Sequence, residues 1–214
     1  MQLADSNISK KIADTVREMI VDGVLPDGDR INEVHLADQL GVSRTPLREG
    51  LGRLVADRVV TREARRGFFV APLTLSEFEQ LYDIRPILDP EALRLAGIPV
   101  PASLERLEKL NRKLLAAKTA SAAIEIDNAW HMELLAACPN RILVQLIRQM
   151  IVRTRRYEHA LFRETKNVWV AGDEHDLIVA ALRNNDLDEA CAMLLQNMQS
   201  GKAPIVNWLT GRSR

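Results

Sequence analysis

The chain has 214 residues, of which 47% are hydrophobic and 27% charged, which excludes an intrinsically disordered protein and leaves room for one or two ordinary domains. Its 29 basic residues balance 29 acidic ones, so the net charge by itself argues against a nucleic-acid-binding protein, and the distribution of charge has to decide. Cys138 and Cys191 form no CxxC pair, so neither a disulfide framework nor a thiolate zinc site is indicated.

The first two predicted elements are helices. Apolar residues recur at helical spacing near the beginning of the chain, at Ile8, Ile12, Val16, Met19 and Ile20. The turn sequences Asp22-Gly23 and Pro26-Asp27-Gly28 end this helix. A second, shorter helix is predicted from about Asn32 to Leu40.

The segment 41–54, GVSRTPLREGLGRL, carries the most informative signal in the chain. Gly41 permits a tight turn, Ser43 is a suitable N-cap, and Pro46 falls in the first helical turn, where a missing N–H costs little. The apolar residues of this third helix repeat on one face and are expected to pack on a small core: Leu47, Leu51, Leu54 and Val55.

The outer face of this predicted helix is basic. Residues 1–42 hold four Lys or Arg against eight acidic residues, a net of −4, whereas residues 43–66 hold seven Arg against three acidic residues, a net of +4. This distribution indicates a helix that enters the major groove of DNA, and the alternative is a solvated basic face. Gly50 and Gly52 predict a loosened helix, because Gly costs about 1 kcal/mol relative to Ala in a helix interior.

Two short strands follow. Val59-Val60-Thr61 and Phe68-Phe69-Val70 predict a β-hairpin whose turn contains Arg65, Arg66 and Gly67. Three helices and a hairpin make a winged helix-turn-helix. Because Ala71 to Leu75 lacks periodicity and Ser76-x-x-Glu79 has the form of a capping box, we divide the chain into domains of residues 1–72 and 73–214.

The remainder of the chain shows no strand signal. Apolar stripes at helical spacing occur at Leu104, Leu107, Leu110 and Leu114, at Ile142, Leu143, Leu146, Ile147, Met150 and Ile151, and at Leu177, Ile178, Ala181 and Leu182. About six helices fit between Ser76 and Leu209, so the predicted fold is mainly α, with an all-α bundle after the winged helix. There is neither a signal peptide nor an apolar run approaching about 18 residues, so we expect a cytoplasmic protein with no membrane partner.

These residues resemble a known family. GDRINE at 28–33, LADQLGVSRTPLREGLGRL at 36–54 and RRGFFVAP at 65–72 are similar to the GntR family of bacterial transcription regulators. Three further segments, 81–96, 127–140 and 173–190, resemble the all-helical ligand-sensing (FCD) domain of its FadR subfamily, in the shorter VanR-type variant. The resemblance implies a ligand-responsive homodimer, most often a repressor, that binds near-palindromic double-stranded operator DNA.

The resemblance also implies which residues contact DNA. The family's major-groove contacts match Arg44, Thr45 and Arg48, and its wing contacts in the minor groove match Gly67 with Arg66 beside it. The residue types agree, because Arg makes bidentate contacts with guanine and Gly lets a hairpin backbone approach the duplex closely.

A second set of residues suggests a metal. Asp127 and His131 share one helix face at spacing i, i+4, and His175 and Asn197 also lie on apolar stripes. In metal-binding members of the family the matching positions hold Asp, His, His and His, so a divalent ion (Zn²⁺, Ni²⁺ or Mn²⁺) is expected on Asp127, His131 and His175. Asn197 replaces the third His and offers a weaker carbonyl oxygen. The alternative is a buried hydrogen-bonded network without an ion.

The resemblance places an effector site beside these residues. Arg85 matches a family Arg that binds an effector carboxylate, for which its planar fork is suited, and we assign Asn197 to the same site. The alternative for Arg85 is an i, i+4 ion pair with Asp89. A small carboxylate-type effector is expected to release the DNA.

Two other functions remain open. In a dedicated metal-sensing regulator the ion itself would be the signal. An all-helical metallohydrolase would use Asp127, His131 and His175 around one metal, but no HExxH-like general base accompanies them, so we do not expect an enzyme.

Overall fold

The computed structural model describes residues 2–165 and 172–212 of the chain. They form ten helices and one two-stranded sheet, and the chain divides into two compact units, Met1–Leu73 and Thr74–Arg214. The prediction of a mainly α protein with a small β-hairpin is confirmed.

The first unit is a winged helix-turn-helix. Its elements are α1 (Gln2–Val21), α2 (Glu33–Leu40), α3 (Arg44–Ala56), β1 (Val60–Glu63) and β2 (Gly67–Val70). The two strands pair antiparallel, in a register that places Val60 opposite Val70 and Glu63 opposite Gly67. The segment before α2 pairs with the other edge of β2, where the Ile31 amide donates a hydrogen bond to the Phe68 carbonyl over 2.9 Å.

Local sequence explains the turn of the helix-turn-helix. The Asn32 side chain caps α2 by accepting hydrogen bonds from the amides of Val34 and His35. Gly41 ends α2 with φ +63°, a left-handed conformation that glycine adopts without steric cost. Ser43 precedes α3 in an extended conformation but makes no capping hydrogen bond through its side chain.

The apolar stripes of the first unit form its core. Buried members include Ile12, Val16, Ile20, Leu36, Leu47, Leu51, Leu54, Val60, Phe68 and Val70. Ile8, which the helical spacing of α1 places on the same stripe, is exposed instead. The predicted packing face of α3 is therefore the observed one for all its leucines.

Gly50 does not loosen α3 as the sequence predicts, but has a role in packing. It is buried where α3 crosses α1, and a Cβ atom there would lie 2.9 Å from Cγ2 of Ile12 and 3.1 Å from the carbonyl oxygen of Ser9. A Cβ at Gly52 would meet nothing within 4 Å. Gly50 therefore permits close helix packing, and only Gly52 fits the expectation of a glycine that loosens the helix.

The second unit consists entirely of helices in its described part. They are α4 (Leu75–Ala96), α5 (Pro101–Leu115), α6 (Ala120–Leu134), α7 (Arg141–Thr165), α8 (Gly172–Arg183), α9 (Leu187–Ser200) and α10 (Lys202–Arg212). The described part of this unit has seven helices where the sequence predicts about six, because a break at Gly201 separates α9 from α10. The apolar pattern does not reveal this break. Within residues 2–165 and 172–212, no helix is both long enough and apolar enough to cross a membrane.

The start of α4 differs from the predicted capping box. Thr74, not Ser76, is the N-cap, and its hydroxyl accepts a hydrogen bond from the Glu77 amide over 3.2 Å. Ser76 already lies in the helix, where its hydroxyl accepts a hydrogen bond from the Gln80 side chain. Tyr157 fixes this earlier start, since its hydroxyl bonds both the backbone of Thr74 and the Glu77 carboxylate.

The core of the second unit surrounds its polar residues. Buried apolar side chains from six of its helices form one cluster, with Leu93, Leu107, Trp130, Leu134, Ile147, Ile178, Leu182 and Leu194 among its members. Against this apolar background the buried polar side chains stand out: Arg85, Asp89, Asn111, Asn128, His131, Thr154, Arg156, His159, His175 and Asn197. Several of them converge between α4, α5, α6, α8 and α9.

Candidate functional site

The first turns of α3 carry the residues expected to contact DNA. Arg44, Thr45 and Arg48 are all exposed, while the opposite face of the helix is buried through Leu47 and Leu51. The basic residues are thus available at the positively polarised end of the helix.

The wing tip is a tight turn between β1 and β2. Gly67 has φ +97° there, a conformation that strongly favours glycine. Arg66 beside it is exposed, forms an ion pair with Glu63, and lies over the Phe69 ring at 5.0 Å from its centroid. The structure therefore places both predicted wing residues at an accessible turn.

Glu33 lies between α3 and the wing, and it was not identified as a functional residue from the sequence. Its carboxylate lies 3.3 Å from the Arg48 guanidinium, and a Cβ atom on Gly67 would be 3.6 Å from its other oxygen. The signal in the sequence is an acidic residue directly after the N-cap Asn32, at a helix N-terminus that favours negative charge.

The structure brings Asp127, His131 and His175 together. One potential ligand atom from each lies within 4.8 Å of the others. Nε2 of His175 is 3.5 Å from Oδ1 of Asp127, and Nε2 of His131 is 3.8 Å from Oδ2. Two ligands of a tetrahedral zinc ion at about 2.1 Å lie about 3.4 Å apart, so these separations are close to those of a metal site.

The three side chains differ in their access to solvent. His175 is completely buried and His131 is 3% exposed, whereas the Asp127 side chain is 33% exposed. Trp130 stacks flat on the His175 ring, with centroids 3.7 Å apart and an interplanar angle of 2°. The stacking fixes the plane in which His175 presents its two nitrogens.

Asn111 determines which nitrogen of His175 carries the proton. The Asn111 amide donates to the Gly172 carbonyl (2.8 Å) and to the Asp176 carboxylate (2.7 Å), so its oxygen is left to accept from Nδ1 of His175 at 3.2 Å. Nε2 of His175 therefore presents a lone pair toward the Asp127 carboxylate, and it has no hydrogen-bond partner among the described residues.

Asn111 is a second functional residue that was not identified from the sequence. Asn111 is buried in the stripe of α5 that contains Leu104, Leu107 and Leu114. A polar residue at a core position of an otherwise apolar stripe is the signal that could have found it. A side chain that orients a metal-binding imidazole through its other nitrogen is a regular feature of metal sites.

The acid–base states suit a cation. Burial raises the pKa of Asp127 to about 6, with the Glu174 charge adding to the effect and Arg85 opposing it. Burial and the charges of His175 and Arg85 hold the pKa of His131 well below its usual range, and burial lowers that of His175 to about 3. At neutral pH the cluster therefore offers two neutral imidazoles and a carboxylate, the forms in which these groups bind metals.

Asn197 lies at the edge of the same site. It is 6% exposed, and its amide donates to Oε2 of Glu174 over 2.7 Å. Its carbonyl oxygen is buried without a hydrogen-bond partner in the part of the chain that the structure describes. Asn197, where the resemblance implies a third histidine in metal-binding members, thus keeps one acceptor without a partner among the described residues.

A cavity of about 860 Å³, including its open mouth, adjoins the cluster. Its polar lining comes from Tyr82, Arg85, Asp127, His131, Glu158 and Asn197, and its apolar lining includes Ile124, Leu161, Phe162, Met198 and Ile205. The Nη2 of Arg85 is 2.8 Å from Oδ1 of buried Asp89, so the ion pair expected from their spacing exists. Arg85 also faces the cavity, where its Nε has no hydrogen-bond partner among the described atoms.

Tyr82 and Glu158 complete the cavity wall. Both side chains line the cavity, and the sequence did not single out Glu158. It falls on the same face of α7 as the buried residues Ile147, Ile151 and Thr154, four residues after Thr154, and this spacing is the signal that points to it.

Comparison with known proteins covers both units. Residues 8–70 match the family described as "Bacterial regulatory proteins, gntR family", and residues 80–200 match the "FCD domain". The chain is 31% identical over 189 residues to the Nta operon transcriptional regulator of Aminobacter aminovorans, covering 86% of this chain and 88% of that protein.

Solved structures agree on the fold. E. coli McbR/YncC superposes with a TM-score of 0.78 at 25% identity, covering 97% of this chain and 99% of that one. A GntR transcriptional regulator described as putative, from Rhodococcus sp. RHA1, gives a TM-score of 0.77 at 22% identity, covering 93% and 97%.

Proposed function

The chain belongs to the GntR family of bacterial transcription regulators, with an FCD domain as its second part, and from this we propose a homodimeric repressor that a small carboxylate effector releases from DNA. We assign DNA binding to residues 1–72 and effector binding and dimerisation to residues 73–214. Its family and relatives are transcription regulators and not enzymes, so the metallohydrolase is rejected. The site of action is the bacterial cytoplasm, where the operator lies.

On the DNA side, Arg44, Thr45 and Arg48 read the major groove, and Arg66 and Gly67 contact the minor groove. The exposure of Arg48 on the outer face of α3 supports this assignment, because base readout requires a side chain that can leave the protein surface. The left-handed turn at Gly67 brings backbone close to whatever the wing contacts.

A dimer follows from the near-palindromic operator, whose two half-sites need two reading units. One face of α4 supports a contact between two copies, because it exposes the apolar side chains of Ile84, Ile87 and Leu95. An exposed apolar face on one helix is typical of an interaction surface. We assign this face to the partner chain.

On the effector side, Asp127, His131 and His175 hold a divalent cation, with the Asn197 carbonyl oxygen as a weaker fourth ligand. A bound ion with three protein ligands keeps positions open for oxygen atoms of a small molecule. Arg85 binds the effector carboxylate through the guanidinium donors that Asp89 does not use.

Release of the operator requires that the effector bind the DNA-free state more tightly than the DNA-bound state. The coupling is reciprocal, so operator DNA must weaken effector binding by the same factor. Arg85 on α4 and Asn197 on α9 belong to the effector site, so binding there acts on the helix that carries the proposed dimer contact.

One observation carries the metal proposal. The lone pair of His175 Nε2 and the Asp127 carboxylate face each other across 3.5 Å, and His175 has no proton to place between them because Asn111 takes its Nδ1–H. A cation between these groups satisfies both, and Nε2 has no other partner among the described residues.

The metal is tested by elemental analysis of purified protein after dialysis with Zn²⁺, Ni²⁺ or Mn²⁺. The wild type should retain about one ion per chain, His131→Ala should lose it, and Asn197→His should bind it more tightly. His35→Ala, which removes an exposed histidine of the first unit, is the matched control. A wild type without metal would make the cluster a hydrogen-bonded network, and release of DNA by the ion alone would make the protein a metal sensor.

The effector is tested on the metal-loaded protein. Small carboxylates should raise its melting temperature, because a ligand that binds only the native state stabilises it by mass action, and they should lower its affinity for operator DNA. Arg85→Lys keeps the charge but loses the planar fork, and we expect it to weaken both effects.

A further inference from the structure

We infer that the effector is an aminocarboxylate, and that Glu158 binds its protonated amino group. This rests on the proposed effector site and specifies the chemical class of its ligand. Glu158 lies on α7 and lines the same cavity as Arg85 and Asp127, so it is available to a molecule whose carboxylate binds at Arg85.

Glu158 shares the cavity wall with Tyr82. Tyr82 fits closely against the break between α9 and α10, where a Cβ on Gly201 would be 3.2 Å from the Tyr82 hydroxyl. A closely packed wall presents its polar groups to a ligand from fixed positions.

The charges around the cavity do not favour a simple anion. Arg85 is paired with Asp89, Asp127 and Glu158 line the wall, and Glu174 lies directly behind Asn197. One guanidinium therefore faces four acidic side chains, so even a divalent cation leaves no surplus of positive charge. A simple carboxylate adds one more negative charge to an enclosed site, whereas a zwitterion adds none.

The nearby basic residues do not restore the balance. Arg155 is 3.0 Å from Glu125, and His159 is 3.5 Å from the same carboxylate. Burial and the Asp127 charge raise the pKa of Glu158 to about 7 despite the opposing fields of Arg85, His159 and Arg155. The surroundings of Glu158 thus disfavour its negative charge, which a cationic group in the cavity would stabilise.

The hydrogen-bonding groups point to the same ligand. Asn197 already offers its carbonyl oxygen to the proposed metal, so the acceptor that the cavity presents to a ligand is the Glu158 carboxylate, which lines it. An ammonium group supplies three N–H donors and no acceptor. A simple carboxylate supplies only acceptors and offers no donor to the Glu158 carboxylate.

The test uses four-carbon acids that share one skeleton. Calorimetry compares the binding of butanoate with that of 2-, 3- and 4-aminobutanoate to the metal-loaded full-length protein. 2-Hydroxybutanoate is included because its hydroxyl is a hydrogen-bond donor without a charge. The variants are Glu158→Gln, which keeps the size of the side chain and an acceptor oxygen but removes the charge, and Glu105→Gln, which removes an exposed charge from α5 as the control.

We expect at least one aminobutanoate to bind wild type and Glu105→Gln about tenfold more tightly than butanoate, a difference of about 1.4 kcal/mol, and the preference to fall to within about twofold in Glu158→Gln. Three outcomes overturn the inference: butanoate binds with the same affinity as every aminobutanoate, 2-hydroxybutanoate binds with the same affinity as the aminobutanoates, or none of the acids binds. A preference that persists in Glu158→Gln overturns the role of that residue. Binding of butanoate alone leaves the proposed carboxylate effector intact, so the two failures are distinct.

Discussion

Arg48 is the residue whose loss should affect sequence recognition most directly. It is exposed on α3 and lies 3.3 Å from Glu33, so it can exchange one acidic partner for a base edge without disturbing the core. We predict that Arg48→Ala lowers operator affinity by about 1 to 3 kcal/mol and relaxes the preference at one base pair.

The measurement for Arg48 is a binding titration together with selection from a randomised DNA library. Lys11→Ala, which removes an exposed charge from α1, is the control for a general loss of positive charge. If Arg48→Ala binds the operator with unchanged affinity and base preference, α3 does not read DNA through this residue.

Arg66 should act through charge and not through sequence. It lies at the wing tip, paired with exposed Glu63, where a phosphate group can compete for the guanidinium. Arg66→Ala should weaken binding to all DNA sequences alike and reduce the dependence of log affinity on log salt by about one phosphate contact. A salt slope identical to that of the wild type would place Arg66 away from the DNA.

Among the elements, α3 contains two glycines with opposite expected effects. Gly52→Ala should stabilise the first unit by about 0.5 to 1 kcal/mol, because its Cβ meets open space and alanine is the better helix former. Gly50→Ala should destabilise it by about 1 to 3 kcal/mol, because its Cβ would approach Ile12 and the Ser9 carbonyl too closely.

Each glycine variant serves as the other's control, since both make the same substitution two positions apart. Denaturant unfolding of the full-length protein measures both free energies. Equal stabilisation by the two substitutions would show that α1 and α3 do not pack as closely at Gly50 as the structure places them.

The protein is expected to assemble as a dimer. Sedimentation should give two chains per particle, and Ile87→Asp should shift the protein toward the monomer, because it places a charge on the exposed apolar face of α4. Ile87 is 68% exposed, so the substitution leaves the fold of the single chain intact.

Loss of the dimer should also weaken binding to the palindromic operator by about tenfold or more, since the second half-site is then no longer held at a high effective concentration. Val100→Asp, an equally exposed apolar position before α5, is the control. A wild-type monomer with full operator affinity, or a dimer that survives Ile87→Asp, would reject the α4 contact.

Local sequence is enough to predict the helices, the hairpin and the faces that they expose. Apolar residues at spacings of three and four placed Leu47, Leu51 and Leu54 inside and Arg48 outside, because a helix brings such positions to one face whatever it packs against. The same local rule put Asp127 and His131 side by side on α6. Turn chemistry around Gly41 and Gly67 fixed the helix-turn-helix and the wing, since few residues adopt those backbone conformations.

What those faces contact depends on the packing of separate elements. His175 acquires its tautomer from Asn111, 64 positions away in sequence, and Gly50 acquires its purpose from the crossing of α1. Glu158 enters the cavity wall, and Thr74 replaces Ser76 as a cap because Tyr157 bonds there. Spacing along one helix cannot supply these facts, because hydrogen-bond partners, charge environment and close approach depend on how separate helices pack together.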